Sequence, residues 1–199
     1  MIKYVIFDLA DTLVSGLTGI ENKLAQYINS PKEQILPCFR GPEIVELFFG
    51  NITEDEYLQL LIKKYNWDID ISIIKQIIRD NFNSAVSGVS EIVQKLSSNY
   101  TLVLLSNHCK EWIEYIERTH DFLKVFKYKF YSFEIKGTKD NPNTYISLLK
   151  HINCEPQNCV FIDDRQHFID VAQSVGINAI RFDNAENLKL SLNRVGISI

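Results

Sequence analysis

The sequence predicts a doubly wound α/β fold: a parallel sheet with helices on both faces and an all-helical insert after its first strand. Three observations carry this. Short, nearly continuous apolar runs recur at 4–7, 101–105, 126–131, 160–162 and 179–182, as parallel strands buried on both faces require. Segments with apolar residues at helical spacing separate the later runs, the alternation expected of a wound sheet. Between the first run and the second, from about 15 to 85, helical patterns follow one another with no convincing strand.

The first strand, Tyr4-Val5-Ile6-Phe7, runs straight into Asp8 and then Leu9-Ala10-Asp11-Thr12. A turn here is ordinary, since Asp and Thr are common where strands end. It also sets a carboxylate at the carboxyl edge of the sheet, where open α/β sheets bind ligands. In the insert, 20–28 reads as a helix. Gly41-Pro42 and Gly50 punctuate the chain after it. Thr53 and Glu56 then form a capping-box signature, and Tyr57, Leu58, Leu60 and Leu61 continue that helix. A further helix spans 70–82 with Ile73, Ile74, Ile77 and Ile78 apolar, and Ser87-Gly88 marks the return. The division is therefore a core of 1–14 and 86–199 and an insert of 15–85.

Beyond the insert, Ile92, Val93 and Leu96 mark a helix over 90–96, and the second strand ends in Ser106-Asn107. The third strand leads to Lys139-Asp140-Asn141-Pro142-Asn143-Thr144-Tyr145 and a helix over 143–152. The fourth ends in Asp163-Asp164, with a helix over 167–175 that Gly176 can stop, and the fifth strand follows.

Composition narrows the class. The chain has 199 residues, 46% hydrophobic, enough for one core with an inserted subdomain. Its net charge is −4 and its basic residues are scattered, with no cluster beyond Lys63-Lys64, so nucleic acid is not expected as a partner. Cys38, Cys109, Cys154 and Cys159 include no Cys-x-x-Cys pair and no His at zinc spacing. Reduced thiols in a cytoplasmic protein are the expectation. No apolar run approaches the roughly 20 residues of a membrane helix, and Asp8 interrupts the first one before it could serve as a secretory leader. Nothing in the sequence fixes an oligomeric state.

Four segments, each just after a strand, converge on one sheet edge. Adjacent carboxylates at the end of a buried strand repel one another, and a divalent cation gives a reason for Asp163-Asp164; hard oxygen donors suit Mg²⁺. Ser106 and Asn107 read as a helix N-cap or as part of an anion site, and both can hold at once. Lys139 alone reads as a surface lysine or as a countercharge.

Together the four segments resemble the haloacid dehalogenase (HAD) superfamily. Its first motif is usually Asp-x-Asp-x-Thr; here Ala10 stands in place of the second Asp. Its third commonly reads Lys-Pro-Asp-Pro-x-x-Tyr; here Asp140 replaces the first Pro, while Pro142 and Tyr145 match. The insert lies where the superfamily carries its C1-type helical cap. The branch most similar is that of the small α-D-glucose-1-phosphate phosphatases, which also have a small residue at the second Asp and the Ser-Asn form of the second motif.

The resemblance implies a Rossmann-like core and an aspartyl-phosphate mechanism with Asp8 as nucleophile. Ser106 Oγ and the Asn107 backbone N–H would hold a phosphate oxygen, and Lys139 would neutralise charge. Asp8, the Ala10 carbonyl and Asp164 would hold Mg²⁺, with Asp163 acting through water or by orientation. A family Asn or Asp four residues beyond Asp164 is Phe168 here. The second Asp of the family protonates the leaving oxygen, help worth roughly 10²- to 10⁴-fold. Ala10 supplies none. Either the leaving group is acidic, as in anomeric or acyl phosphates, or Asp11 or His108 substitutes, or turnover is weak. Arg40 reads as a surface residue or as a contact to an anionic or hydroxylated part of the substrate, and His108 as a solvated residue or a further substrate contact.

The expectation is a Mg²⁺-dependent phosphatase of a small phosphorylated metabolite, with a sugar 1-phosphate first. The alternative is a catalytically weak phosphate-binding or regulatory protein. Less favoured are a 2-haloacid dehalogenase, whose family members carry an aromatic at position 10 and need no metal, and a phosphonate hydrolase. The latter carries Ala there but needs a cap lysine, and none of Lys23, Lys32, Lys63, Lys64 and Lys75 stands out.

Overall fold

The computed structural model describes residues 1–198. Five parallel strands form one sheet in the order β3-β2-β1-β4-β5: β1 (Tyr4–Phe7), β2 (Thr101–Ser106), β3 (Tyr128–Tyr131), β4 (Cys159–Asp163) and β5 (Asn178–Arg181). The alternation of side chains along each strand feeds two apolar cores. Val5, Phe7, Leu102, Leu104, Val160 and Ile162 face one side. Ile6, Val103, Leu105 and Phe161 face the other.

Helices α1 (Ile20–Leu24), α2 (Lys32–Cys38), α3 (Glu43–Phe48), α4 (Glu54–Tyr65) and α5 (Ile71–Phe82) follow β1 without a strand between them. Then come α6 (Val89–Ser97) before β2, α7 (Lys110–Thr119) before β3, α8 (Ser132–Ile135) and α9 (Pro142–His151) before β4, α10 (Gln166–Ser174) before β5, and α11 (Ala185–Arg194). The α/β fold class is as the sequence implies. The capping box forms: Glu56 N–H donates to Thr53 Oγ1 at 3.3 Å, and Thr53 N–H donates to Glu56 Oε2 at 2.7 Å. Asp70 caps α5 through the Ser72 N–H at 2.7 Å.

Some boundaries differ. α1 stops at Leu24 rather than near 28, and residues 25–30 turn. α2 and α3 have no clear periodic signature; they are short, and α2 holds Pro37 inside it. β3 begins at Tyr128 because Asp121–Val125 winds into a 3-10 turn that Phe126 closes. The fifth strand sits one residue earlier than the apolar run suggests.

The chain enters and leaves the helical insert along a paired track. Ser15 N–H donates to the Ser84 carbonyl at 2.8 Å, and Val86 N–H donates to the Leu13 carbonyl at 2.9 Å. These bonds, with an antiparallel bridge between Val14 and Ala85, tie both crossings together. Gly88 then starts α6 at φ +76°, a left-handed conformation in which an added Cβ would also meet Ala185 at 3.0 Å. No helix among the described residues is long and apolar enough to cross a membrane.

Candidate active site

Strand order reverses around β1: β2 lies on one side and β4 on the other. Such a switch point opens a crevice at the carboxyl ends of the strands. Asp8 follows β1 directly, held by its N–H to the Ile162 carbonyl at 2.9 Å. Asp163 ends β4, and Asp164 follows it. Lys139 comes from the loop before α9. Its backbone N–H donates to Asn107 Oδ1 at 3.0 Å, so the Asn107 side chain sets the lysine loop in place. That orienting role was not visible in the sequence, because nothing local links positions 107 and 139.

Lys139 Nζ donates to Asp8 Oδ1 at 2.5 Å and to Asp163 Oδ2 at 2.6 Å. All three side chains are buried. The other Asp163 oxygen accepts the Arg165 N–H at 2.9 Å. Burial pushes the Asp8 carboxyl up to about 7, against the pull of Lys139 and with Asp163 adding to the rise. Burial and the Asp163 charge push Asp164 up to about 6. Burial works against the Lys139 ammonium, but Asp163 and Asp8 outweigh it and hold that group above its ordinary value.

The charges do not balance. Oxygen atoms of Asp8, Asp163 and Asp164 lie within 4.8 Å of one another. Ionised, they carry three negative charges against the one of Lys139. The surplus equals the charge of a divalent cation, and the donors are all hard oxygens. The residues therefore fit Mg²⁺.

Ser106 ends β2; it is buried, and its Oγ has no hydrogen-bond partner. His108 is buried rather than solvated, and neither ring nitrogen has a partner. Burial, helped by the Lys139 charge, pulls its imidazole down to about 3. It is neutral at ordinary pH and holds no proton to give as an imidazolium.

Asp11 takes a left-handed backbone, φ +60°. Its carboxylate accepts the Gly16 N–H at 2.7 Å and the Thr18 hydroxyl at 2.8 Å. Its carboxylate is thus engaged in fastening the first crossing, although Asp11 also lines the same cavity as Asp8. Phe168 puts its ring 4.5 Å from Lys139 Nζ, so an aromatic face supports the ammonium where the family offers a polar group.

A cavity of about 500 Å³ opens over these groups. Asp8, Ala10, Asn107, Lys139 and Asp164 line its floor; Ser106 and Asp163 lie buried and do not line it. The insert contributes Leu17, Thr18, exposed Arg40, Ile44, Val45 and Phe48. Trp112, His108 and Phe168 add to the wall, and Asp11, Thr138, Asp140 and Arg165 give it a polar side. The apolar part of this wall was missed in the sequence, since α3, which carries most of it, has no legible pattern.

Comparison with known proteins agrees with this geometry. A chloroplast flavin mononucleotide hydrolase of Arabidopsis thaliana is 27% identical over 198 residues, covering 98% of this chain and 78% of that protein. A HAD-like hydrolase from Porphyromonas gingivalis superposes with a TM-score of 0.77 at 18% identity, covering 98% of both chains. A HAD family enzyme of Bacteroides thetaiotaomicron, solved with magnesium and inorganic phosphate, gives 0.72 at 21% identity over 92% of this chain and 96% of that one. The L-2-haloacid dehalogenase of Xanthobacter autotrophicus, with chloropropionic acid covalently bound, gives 0.69 at 16% identity over 100% of this chain and 85% of that one. The model of the haloacid dehalogenase-like hydrolase family matches residues 5–182. With Asp8, Lys139 and the paired aspartates brought to one sheet edge, the chain belongs to that family of hydrolases.

Proposed function

We propose that the protein is a Mg²⁺-dependent phosphatase of a small phosphorylated metabolite. The observation that carries this reading is the buried floor of the cavity, where three carboxylates surround one lysine with negative charge to spare. Lys139 pulls Asp8 towards its reactive, ionised form, against the burial that raises it. An Asp8 oxygen attacks phosphorus, the bond to the leaving oxygen breaks, and an aspartyl phosphate forms. Water then attacks that phosphorus, releasing phosphate and restoring Asp8. The Asn107 N–H and Lys139 bind the phosphoryl oxygens, and Ser106 Oγ, whose hydrogen bonding is otherwise unmet, lies buried just behind them at the end of β2 as a further donor to a phosphate seated deeper than the open cavity. Asp8, the Ala10 carbonyl and Asp164, with Asp163 in support, would hold Mg²⁺, which would supply positive charge at those oxygens. Residues 15–85 act as a cap that shapes the cavity and excludes water.

Ala10 provides no acid for the leaving oxygen. A sugar 1-phosphate meets that constraint, because an anomeric oxygen leaves more readily than an alkyl one. A second class meets the shape of the cavity: esters with an apolar body, of which the flavin mononucleotide of the Arabidopsis relative is one. The apolar Ile44, Val45 and Phe48 on the wall favour this class. A dehalogenase would have no use for the surplus of carboxylates. A phosphonate hydrolase needs a lysine from the insert, and Lys139 is the only lysine lining the cavity among the described residues. A cytoplasmic location remains our proposal, one that four unpaired thiols would suit.

The test is a panel of anomeric, acyl, aryl and alkyl phosphates assayed with and without Mg²⁺ beside the Asp8→Asn variant. Metal-dependent turnover above the variant is expected. None on any ester leaves only a weak phosphate-binding protein. Metal-independent halide release from a 2-haloacid would move the chain to the dehalogenases.

A further inference from the structure

We infer that His108 is a specificity-determining residue: its imidazole hydrogen-bonds a polar atom on the substrate body, and that body is a flat, mainly apolar ring system. The inference rests on the phosphatase reading and names the substrate class it serves.

His108 lines the same cavity as Asp8 and Lys139. It is 2% exposed, yet both ring nitrogens lack any partner. A buried polar group without a partner destabilises the fold, and a phenylalanine of similar shape would fill this slot without that cost. Three aromatic rings, none of which offers it a hydrogen-bond partner, pack around the imidazole. Its centroid lies 6.2 Å from Phe48, 5.9 Å from Phe82 and 5.6 Å from Trp112. Its backbone is tied at both ends to one hydroxyl: His108 N–H donates to Ser132 Oγ at 3.1 Å, and that hydroxyl donates to the His108 carbonyl at 3.2 Å. The other orphan on this loop is Ser106 Oγ, two residues earlier. The loop thus holds two unmet polar side chains in succession, one at the phosphate end and one against the wall. A neutral imidazole offers one donor and one acceptor, so it can pair with either type of group.

The wall around it selects the rest. Of the six residues that the insert contributes to the cavity, Leu17, Ile44, Val45 and Phe48 are apolar, and Thr18 and Arg40 are polar. A hexose body would set several hydroxyls against those four apolar side chains. A planar ring with heteroatoms at its edge covers Ile44, Val45 and Phe48 and leaves its edge atoms for His108.

The experiment measures binding and turnover separately. Mg²⁺-loaded Asp8→Asn protein is titrated with flavin mononucleotide, glucose 1-phosphate and inorganic phosphate, with and without His108→Phe. Flavin mononucleotide should bind more tightly than either of the others. His108→Phe should weaken it about tenfold, one neutral hydrogen bond, and change inorganic phosphate less than about twofold. His108→Gln, which keeps a donor and an acceptor, should recover most of the loss. It also serves if the phenylalanine variant fails to fold. In the active protein the same variants should raise KM for flavin mononucleotide more than they lower kcat. The inference is overturned if flavin mononucleotide binds no more tightly than phosphate, if glucose 1-phosphate binds more tightly, or if His108→Phe moves all three alike or none. A wild type that turns over no ester while still discriminating in binding would sink the phosphatase reading instead.

Discussion

Two buried clusters of charge flank the cavity, and they are built on opposite terms. At the floor, Lys139 is shared between Asp8 and Asp163, with Asp164 close by and Ser106 Oγ unmet. At the joint between insert and core, Glu54 of α4 is fully paired. Arg79 of α5 donates to both its oxygens, at 2.8 and 2.5 Å, and Trp112 Nε1 of α7 donates at 2.6 Å. Burial of charge does not distinguish them, since Asp163 and Glu54 are both inaccessible. Satisfaction does. The joint has a partner for each acceptor and holds two parts of the chain in register. The floor has excess charge and idle donors, which only a ligand can use.

The largest effect expected from breaking this contrast is at the floor. Asp8→Asn should lower kcat by at least about 10³-fold, as loss of a nucleophile does. It should not lower stability in metal-free buffer, because it removes one of three crowded carboxylates. Chemical unfolding without Mg²⁺ checks that half, and clear destabilisation would mean the floor is a structural ion cluster like the joint.

Next in size is the joint itself. Arg79→Met leaves the Glu54 carboxylate buried with Trp112 and, at 3.8 Å, Lys75. Breaking a buried pair from one side costs roughly 3–5 kcal/mol, and the nearby lysine holds the expected loss to about 3 kcal/mol. Urea unfolding measures it. Turnover at temperatures where the variant is folded should fall less than tenfold, because no group at the joint touches the phosphate. A loss of activity as large as that of Asp8→Asn would erase the distinction.

A third effect reads the wall between the two clusters. The folded pKa of His108, about 3, lies below the unfolded value near 6.5. The native state therefore excludes a proton that the unfolded state takes up. The resulting stability is fully present above pH 6.5 and is lost as pH falls from there towards 3, by at most about 1.4 kcal/mol per unit. Lys139 is the charge that adds to the effect of burial; Phe48, Phe82 and Trp112 supply apolar surroundings. Between pH 7 and pH 5, wild type should lose about 2 kcal/mol more than His108→Phe. Equal losses would show that the imidazole reaches water.

How far the sequence revealed these regions follows the same division. The strands and the floor were legible because they are local: an apolar run ends in a carboxylate, a serine or a pair of aspartates, and the parallel sheet brings those ends together. The joint and the wall were not. Glu54 looks like the first residue of a capped helix, and its partners stand 25 and 58 positions away. His108 was readable as a candidate for proton transfer, but its burial depends on Phe48, Phe82 and Trp112, which only tertiary packing assembles. Helices α2 and α3 were missed because short helices, one with an internal proline, carry little periodicity.

The smallest effect concerns the residue that makes the floor unusual. Ala10→Asp places a carboxyl where the family keeps its acid. The first crossing runs close by: a Cβ added at Gly16 would stand 3.1 Å from the Ala10 Cβ. A longer side chain at position 10 has little room on that side, and Ala10 lines the cavity, so the expected direction is into it. A fully positioned acid gives 10²- to 10⁴-fold, and one grafted into an unadapted floor should give about tenfold on alkyl phosphates. Anomeric and aryl phosphates, whose oxygens leave without a proton, should gain less than about twofold. The added charge also meets three carboxylates and one ammonium, so the variant should be less stable than wild type in metal-free buffer and gain more stability from Mg²⁺. Steady-state kcat/KM on matched alkyl and anomeric esters decides the matter. Equal gains on both would show that proton transfer to the leaving group is not what Ala10 limits. No gain on either, with the change in Mg²⁺ response intact, would show that the acid is present but that another group already carries the proton.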